Sequence, residues 1–433
     1  MNTILKKISP GQLIALGFGL VICIGTLLLS LPIAHKPDAA PDFMDTLFTA
    51  TSAVCVTGLL TVDLGSTYSL FGQTVIAVLI QIGGLGITSI GVGIIALSGA
   101  RVNFRERILI KEALNYPTLK DILPLIRSVL LVTLGIELAG AIVSFFVFLQ
   151  YYPLPRALGT ALFHSIASFN NAGMDIFGLG TSMIPYADDV ALNLITCALI
   201  ILGGTGFFVI TEICRKRCFR KFSLHTKVVV IMTAILLAVG TLLIKLTEGD
   251  GISWLGAFFA SVTARTAGFV TYSFGDFSRA GLLVMMVLMF IGASPGSTGG
   301  GMKTTTFFVL FRSLFSASTN RPPEAFRRRI PDESLHRASV IISLGMFVTI
   351  AVTGLIAFFE PALALEDIAF EIVSAVGTVG LSTGITAGLS HISQFIIVIT
   401  MFIGRLGPMT VASLWVQEPD TDISLPEENL PIG

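Results

Sequence analysis

Charged side chains are scarce in this sequence. Only 12% of its 433 residues are Asp, Glu, Lys or Arg, where a soluble domain carries roughly 25%. That shortage excludes a soluble enzyme, and a mean hydropathy of +0.86 places the chain in a membrane. Cysteine is scarce too. Cys23, Cys55, Cys197, Cys214 and Cys218 lie within or at the ends of apolar segments without framework spacing, which excludes a disulfide scaffold. Cys214 and Cys218 can share a helix face, but a metal site would want further ligands nearby and none stand there. A true phosphate loop is also missing. The stretch GASPGSTGGGMKTTTF at 292–307 is rich in glycine, yet Met302 stands where the lysine of such a loop belongs. A membrane ATPase built on this stretch is a competing class, but it would need a strand ahead of the loop, a domain of soluble size and a metal-binding acid, and none of these is found in the sequence.

What is present is long uncharged runs. Residues 8–35, 64–100, 190–211, 228–244, 338–359 and 372–404 contain no charge, 128–155 only Glu137 and 280–311 only Lys303. About 20 apolar residues suffice for a helix to span a bilayer. The first run follows Lys6 and Lys7 but is far longer than a signal-peptide core, so it reads as a transmembrane helix beginning near residue 11.

Internal repetition organises these runs. Four times, a segment too short and too polar to span carries a phenylalanine ten residues before a glycine: FTATSAVCVTG from Phe48 to Gly58, FHSIASFNNAG from Phe163 to Gly173, FFASVTARTAG from Phe258 to Gly268 and FEIVSAVGTVG from Phe370 to Gly380. A second small-residue cluster follows each: IGGLG at 82–86, LGGTG at 202–206, IGASPG at 291–296 and IGRLG at 403–407. The pattern predicts an all-α integral membrane protein of four parallel repeats, each a spanning helix, a re-entrant half-length helix with its loop, and a second spanning helix. The repeats cover 1–100, 101–213, 214–316 and 317–416, with a flexible cytosolic tail at 417–433. Eight crossings result. Because each repeat crosses twice, all four share one orientation and can surround an axis along the membrane normal as a pseudo-fourfold pore, unlike inverted-repeat transporters.

Basic residues set the orientation. Twenty fall in the termini and loops on one side, including Arg101, Arg105, Arg107, Lys111 and Lys120, the 215–221 cluster and Arg327 to Arg329. The other side has Lys36, Arg156, Lys245, Arg265 and Arg279. The positive-inside rule places both termini in the cytoplasm and the re-entrant segments outside. The outer segments are acidic, from Asp38, Asp42, Asp45 and Asp63 through Asp175 to Glu360 and Glu371. A mouth of that sign favours cations.

Backbone leaving a helix at membrane depth is tolerated only where it is packed in protein or lines a watery cavity. The residues ahead of the four glycines are neutral and mostly small. Val56, Thr57 and Gly58, Asn171, Ala172 and Gly173, Thr266, Ala267 and Gly268, and Thr378, Val379 and Gly380 therefore read as four filter segments whose carbonyls coordinate a cation. The C-terminal ends of the short helices add a favourable potential.

The seventh run asks for a different device. As one helix, residues 280–311 would reach about 48 Å across a hydrocarbon core of roughly 30 Å. Its middle, Ser294, Pro295, Gly296, Ser297, Thr298, Gly299, Gly300 and Gly301, predicts a break into two halves joined by a mobile loop. The repeat register sets Arg405 where other repeats have Gly84, Gly204 or Ala293. An arginine at that depth needs partners, so the loop, with Lys303 behind it, is expected to form a gate held by Arg405. Two further charges sit in apolar surroundings. Arg265 is expected to brace the third filter segment from behind, and Glu137 to satisfy a partner between helices.

SAVCVTGL, FNNAGMD, ARTAGF and GTVGLS, with the glycine-broken seventh span and Arg405, resemble the Trk/Ktr/HKT superfamily of potassium transporters, closest to KtrB-type subunits, over nearly the whole chain. The extra N-terminal helix pair of the TrkH branch is not seen. The resemblance implies potassium uptake through the cell membrane with one filter glycine per repeat. It implies potassium as the transported ion, with sodium as an activator or co-ion, because a serine at the first filter glycine goes with sodium selectivity in plant relatives and this chain has Gly58. It also implies a homodimer on a cytosolic KtrA-type ring that carries the nucleotide, with no nucleic-acid partner. A secondary transporter coupled to sodium or protons is the alternative; it would show inverted repeats and a substrate-binding charge at the midplane.

Overall fold

The computed structural model describes residues 10–86, 122–178, 180–319, 322–407 and 410–411. Lys6, Lys7, Arg101, Arg105, Arg107, Lys111, Lys120, Arg321 and the tail expected at 417–433 lie outside them. The described chain is almost wholly helical, and one order of elements recurs along it. A long helix is followed by a short one of 10 to 16 residues, a loop and a further helix of 12 to 16 residues. The first set is α1 (Pro10–Leu29), α2 (Phe43–Cys55) and α3 (Leu70–Leu85). The second is α4 (Ile122–Phe148), α5 (Leu154–Phe169) and α6 (Val190–Thr205), which runs into α7 (Phe207–Lys216). The third is α8 (Leu224–Glu248), α9 (Trp254–Thr263) and α10 (Arg279–Phe290), followed by α11 (Thr304–Thr319). After a small hairpin, β1 (Glu324–Ala325) and β2 (Arg328–Arg329), come α12 (Asp332–Phe359), α13 (Leu365–Gly377) and α14 (His391–Leu406).

Local sequence explains the boundaries. Asp42 and Asp45 form a reciprocal capping box at the start of α2, with Asp45 N donating to Asp42 at 2.7 Å and Asp42 N to Asp45 at 3.1 Å. Ser69, Asp189, Ser278 and Ser390 cap α3, α6, α10 and α14 through their side chains. At the other end, three of these helices stop at a left-handed glycine, Gly86 (φ 82°), Gly206 (99°) and Gly407 (85°), each the last residue of a small-residue cluster.

Those stops differ from the expected full-length second spans. Among the described residues four helices are long and apolar enough to cross a membrane, within α1, α4, α8 and α12, or five if α6 and α7, bent by 98°, count as one span. At 12 to 16 residues, α3, α6, α10 and α14 are shorter. Sixteen residues rise only about 24 Å. The glycines near three of these ends pack tightly on the short helices: a Cβ on Gly83 would overlap Val54 O, on Gly203 Phe169 O and on Gly404 Val376 O. Cys214 and Cys218 do not share a helix face either: α7 ends at Lys216, Arg217 turns left-handed, and both thiols are exposed.

The short helices are sequestered. Phe48, Phe163 and Phe370, the phenylalanines that begin three of the sequence motifs, are buried, and α2, α5, α9 and α13 form the middle of the molecule. Leu20, Leu131, Leu246 and Phe347 on the long helices are exposed, as a hydrocarbon solvent requires. Packing between sets is cyclic. α3 lies on α5, α6 on α9, α10 on α13, and α14 returns to α2, so the last described helix closes on the first short one.

At the ends of α8 and α12, carboxylates bind the sets internally. Glu248, ending α8, accepts from Ser278 N at 3.1 Å and Ser278 Oγ at 2.8 Å; Glu360, capping α12, accepts from Ser390 N at 2.9 Å and Ser393 Oγ at 2.7 Å. Hydrogen bonding from Ser390 foremost, opposed by burial and assisted by Ser393, holds the Glu360 carboxyl below the usual glutamate value. The folded state then binds that proton less readily than the unfolded chain, so the tether contributes at neutral pH and is lost as pH falls through the carboxylate range. Glu360→Gln should lower the thermal midpoint of detergent-purified protein at pH 7, and the gap to the parent should close on acidification. A gap independent of pH would mean that the charge of Glu360 has no part in the tether.

Candidate functional site

The four short helices end at one place. At the end of each, the backbone turns left-handed at Val56 (φ 54°), Asn171 (57°), Thr266 (65°) and Thr378 (49°), and again two residues on at Gly58 (101°), Gly173 (62°), Gly268 (82°) and Gly380 (92°). Left-handed backbone costs a β-branched residue such as Val56 about 1–3 kcal/mol, so surrounding bonds must hold it. The intervening residue supplies one. Thr57, Ala172 and Val379 return their N–H to Ser52 O, Ala167 O and Ser374 O at 2.8 Å, and Ala267 to Thr263 O at 2.9 Å. In two loops a serine adds another bond: Ser52 Oγ accepts from Gly58 N and Ser374 Oγ from Gly380 N, both at 3.0 Å.

The intervening carbonyls meet the neighbouring loops. A Cβ placed on Gly58 would lie 2.6 Å from Ala172 O, on Gly173 2.6 Å from Ala267 O, on Gly268 2.6 Å from Val379 O, and on Gly380 it would overlap Thr57 O. The order runs 58, 173, 268, 380 and back to 58. Any side chain at these positions would fill the space between neighbours, so both the φ and the crowding call for glycine. All twelve residues expected to form filter segments thus gather in one ring of backbone.

Beneath the ring lies the break in the seventh run. α10 ends at Phe290 and α11 begins at Thr304, with the intervening loop closed on itself by a bridge between Ile291 and Met302. Its polar groups are tied to the second set. Ser294 N donates to Gly204 O at 3.0 Å, Thr298 N to Gly203 O at 3.3 Å and Thr298 Oγ1 to Phe169 O at 3.1 Å, while Gly296 O accepts from Phe207 N at 2.9 Å. Gly299 lies against the Thr266 hydroxyl and Gly300 against the Thr378 hydroxyl, which puts the loop directly under two ring segments. Arg405 reaches across from α14. Its Nη1 donates to Thr298 O at 2.6 Å and its Nη2 to Gly83 O and, at 3.4 Å, Gly84 O. Lys303 Nζ donates to Gly299 O at 2.8 Å and Gly300 O at 3.2 Å. The small residues at the end of α3 and α6 admit these contacts.

Arg265 is buried, with Nε and Nη2 lacking a hydrogen-bond partner among the described residues, and its backbone carbonyl accepts from Asn171 Nδ2 at 3.3 Å, which links two ring segments. One expectation is corrected. Glu371, counted with the acidic mouth, is buried within α13 and accepts from Thr386, because its helix turns it away from solvent. Glu137 does bind between helices. It accepts from Gln81 Nε2 at 3.2 Å and Asn170 Nδ2 at 2.9 Å, so a side chain of α3 and the residue just before a ring segment share one carboxylate. Sequence reasoning passed over Asn170 and Gln81, whose partners lie far along the chain. It also passed over Ser52 and Ser374, although each stands six residues before its glycine and so was visible in the repeat register.

Comparison with known proteins bears on this arrangement. Residues 18–424 match the model of the TrkH family, described as a cation transport protein. The chain is 38% identical over 446 residues to the potassium/sodium uptake protein NtpJ of Enterococcus hirae, covering 99% of this chain and 98% of that one. It is 36% identical to the Ktr system potassium uptake protein B of Bacillus subtilis, with 97% and 96% covered. Among solved structures, the fold resembles that of the potassium transporter TrkH from Vibrio parahaemolyticus, with a TM-score of 0.71, 19% identity, and 93% of this chain and 85% of that chain covered.

The close approach of α6 to the end of α5 is testable. A Cβ on Gly203 would overlap Phe169 O, while one on Gly19 meets nothing within 4 Å. Gly203→Ala should destabilise the protein by about 1–3 kcal/mol, seen as a lower thermal midpoint, and Gly19→Ala should not. Equal midpoints for the two would contradict this packing.

Proposed function

Because the chain belongs to the TrkH family of cation transport proteins, which are not enzymes, we propose that it is the translocating subunit of a potassium uptake system in the cell membrane. The four sets of helices are read as four repeats, 1–100, 101–213, 214–316 and 317–416, around a pseudo-fourfold pore of eight crossings, the shorter second helices included. Both termini lie in the cytoplasm on this reading. Its main support is the ring in which the carbonyls of Thr57, Ala172, Ala267 and Val379 meet the four glycines. Fixed carbonyl oxygens replace a cation's water shell without adding a charge that would trap it. The first residues of the segments, Val56, Asn171, Thr266 and Thr378, and the glycines themselves supply further carbonyls along the path.

The loop at 294–301 is the gate of this reading. It lies under Thr266 and Thr378, and its contact with Arg405 closes the path below the filter. Opening requires the loop to leave its bonds to Gly203 and Gly204, which lie at the elbow before α7. The basic cytosolic ends, 215–221 and Arg327 to Arg329, suit a nucleotide-binding regulatory ring of the KtrA type. The names of the Ktr system relatives in Bacillus subtilis, which describe one part of a system, support such a companion. A homodimer follows from the same resemblance. Sodium as an activator or coupled ion is a second reading, favoured by the sodium in the printed name of the Enterococcus relative.

Ion flux into vesicles with potassium and sodium gradients imposed separately tests the filter. Gly58→Ser should raise sodium flux relative to potassium, and Gly173→Asp, which places a charge against Gly268, should reduce flux by about tenfold or more. Folded variants that both conduct like the parent would remove the ring from the ion path. Deleting several loop glycines should raise potassium flux in the absence of a companion protein, and Arg405→Ala should do so more weakly. Unchanged flux in the folded loop-deletion protein would reduce the loop to a static kink.

A further inference from the structure

Three successive carbonyls of the loop beneath the ring are taken by cationic side chains. Thr298 O accepts from Arg405 Nη1 at 2.6 Å, Gly299 O from Lys303 Nζ at 2.8 Å and Gly300 O from the same Nζ at 3.2 Å. A run of backbone oxygens facing positive charge is the chemistry of the filter above, repeated one level down. The hydroxyl of Thr378 adds to it. Thr378 is fully buried, its Oγ1 lies against Gly300, and that oxygen has no hydrogen-bond partner among the described residues. A buried hydroxyl left without a donor is an oxygen available to a cation, and leaving it unused is costly.

We propose that the carbonyls of Gly299 and Gly300, with the Thr378 hydroxyl beside them, form a cation site below the filter, and that Lys303 Nζ, held on the two carbonyls while the hydroxyl stays unused, is a tethered substitute there for the transported potassium. The proposal rests on the reading of the loop as a gate and names the group that blocks it. An ammonium and a potassium ion carry the same charge and are both held by carbonyl oxygens, so the two compete for one place. While Lys303 fills the site, an ion descending from the ring meets a second charge of its own sign, with Arg405 alongside. When the loop moves, Lys303 leaves with it, since the lysine follows Gly301 by two residues and its carbonyl partners belong to the same loop. The site is then dismantled, because its carbonyls part from Thr378 together with the lysine. A purely structural role for Lys303, as a donor that ties the loop, would be served as well by a neutral donor of similar length.

That contrast sets the experiment. Lys303→Gln keeps a hydrogen-bond donor and removes the charge. In vesicles without a companion protein it should raise potassium flux by about tenfold, and Lys303→Arg should stay near the parent. Lys303→Cys should conduct like Lys303→Gln and close again when aminoethyl methanethiosulfonate restores a primary ammonium, whereas the uncharged methyl reagent leaves it open. The parent with Cys23, Cys214 and Cys218 exposed serves as the reagent control. Potassium should also raise the thermal midpoint of Lys303→Gln more than that of the parent, because the vacated site now takes an ion. If loop deletion raises flux but Lys303→Gln conducts like the parent and shows no added potassium-dependent stabilisation, the loop is a gate and the tethered cation is wrong. If loop deletion itself changes nothing, the gate reading fails first.

Discussion

A chain that leaves its helix inside a hydrocarbon layer strands amide groups that neither lipid nor water will satisfy. The organisation of this molecule follows from meeting that constraint four times in one place. Each short helix ends in a left-handed turn, each turn returns one N–H to its own helix, and the freed carbonyls lie against a neighbouring glycine. No segment could hold that conformation alone. The neighbours that make it tolerable are the other three segments, and the cyclic packing of α3 on α5, α6 on α9, α10 on α13 and α14 on α2 brings them together.

The same constraint recurs lower down with a different answer. The loop between α10 and α11 is satisfied partly by backbone of the second set and partly by Arg405 and Lys303. Backbone partners make a fixed structure. Cationic side chains on long stems make one that can be released, because a guanidinium or an ammonium can find other oxygens after it moves. The two tiers are therefore held by different chemistry, although both are rows of carbonyls.

Much of this was legible in the sequence, and what was legible was periodic. The interval from phenylalanine to glycine located all four turns, the second glycine clusters marked where the following helices stop, and the run at 294–301 announced its break. What escaped depends on partners that no local pattern contains. Nothing near Glu371 says that its helix turns it inward to Thr386, and nothing near Arg265 says that its carbonyl meets the side chain of Asn171. Helix lengths were overestimated because uncharged composition continues past the glycine at which the helix stops. The pairing of Glu137 with Gln81 and Asn170 joins residues 56 and 33 positions away, a distance over which only the assembled fold carries information.

The contact of α14 with α2 has a consequence for how the protein comes into being. Chains are made from the N-terminus, and domains tend to fold as they emerge. Here the first short helix lacks one of its flanking helices until nearly the whole chain has entered the bilayer, and Gly380 is the last of the four glycines to be made. During biosynthesis three quarters of the ring must wait with their amides incompletely covered. The nascent protein therefore depends on whatever shelters polar backbone at the insertion machinery until the final helix arrives, and a chain stopped before α14 would leave Gly83 O without the Arg405 guanidinium that occupies it in the finished molecule.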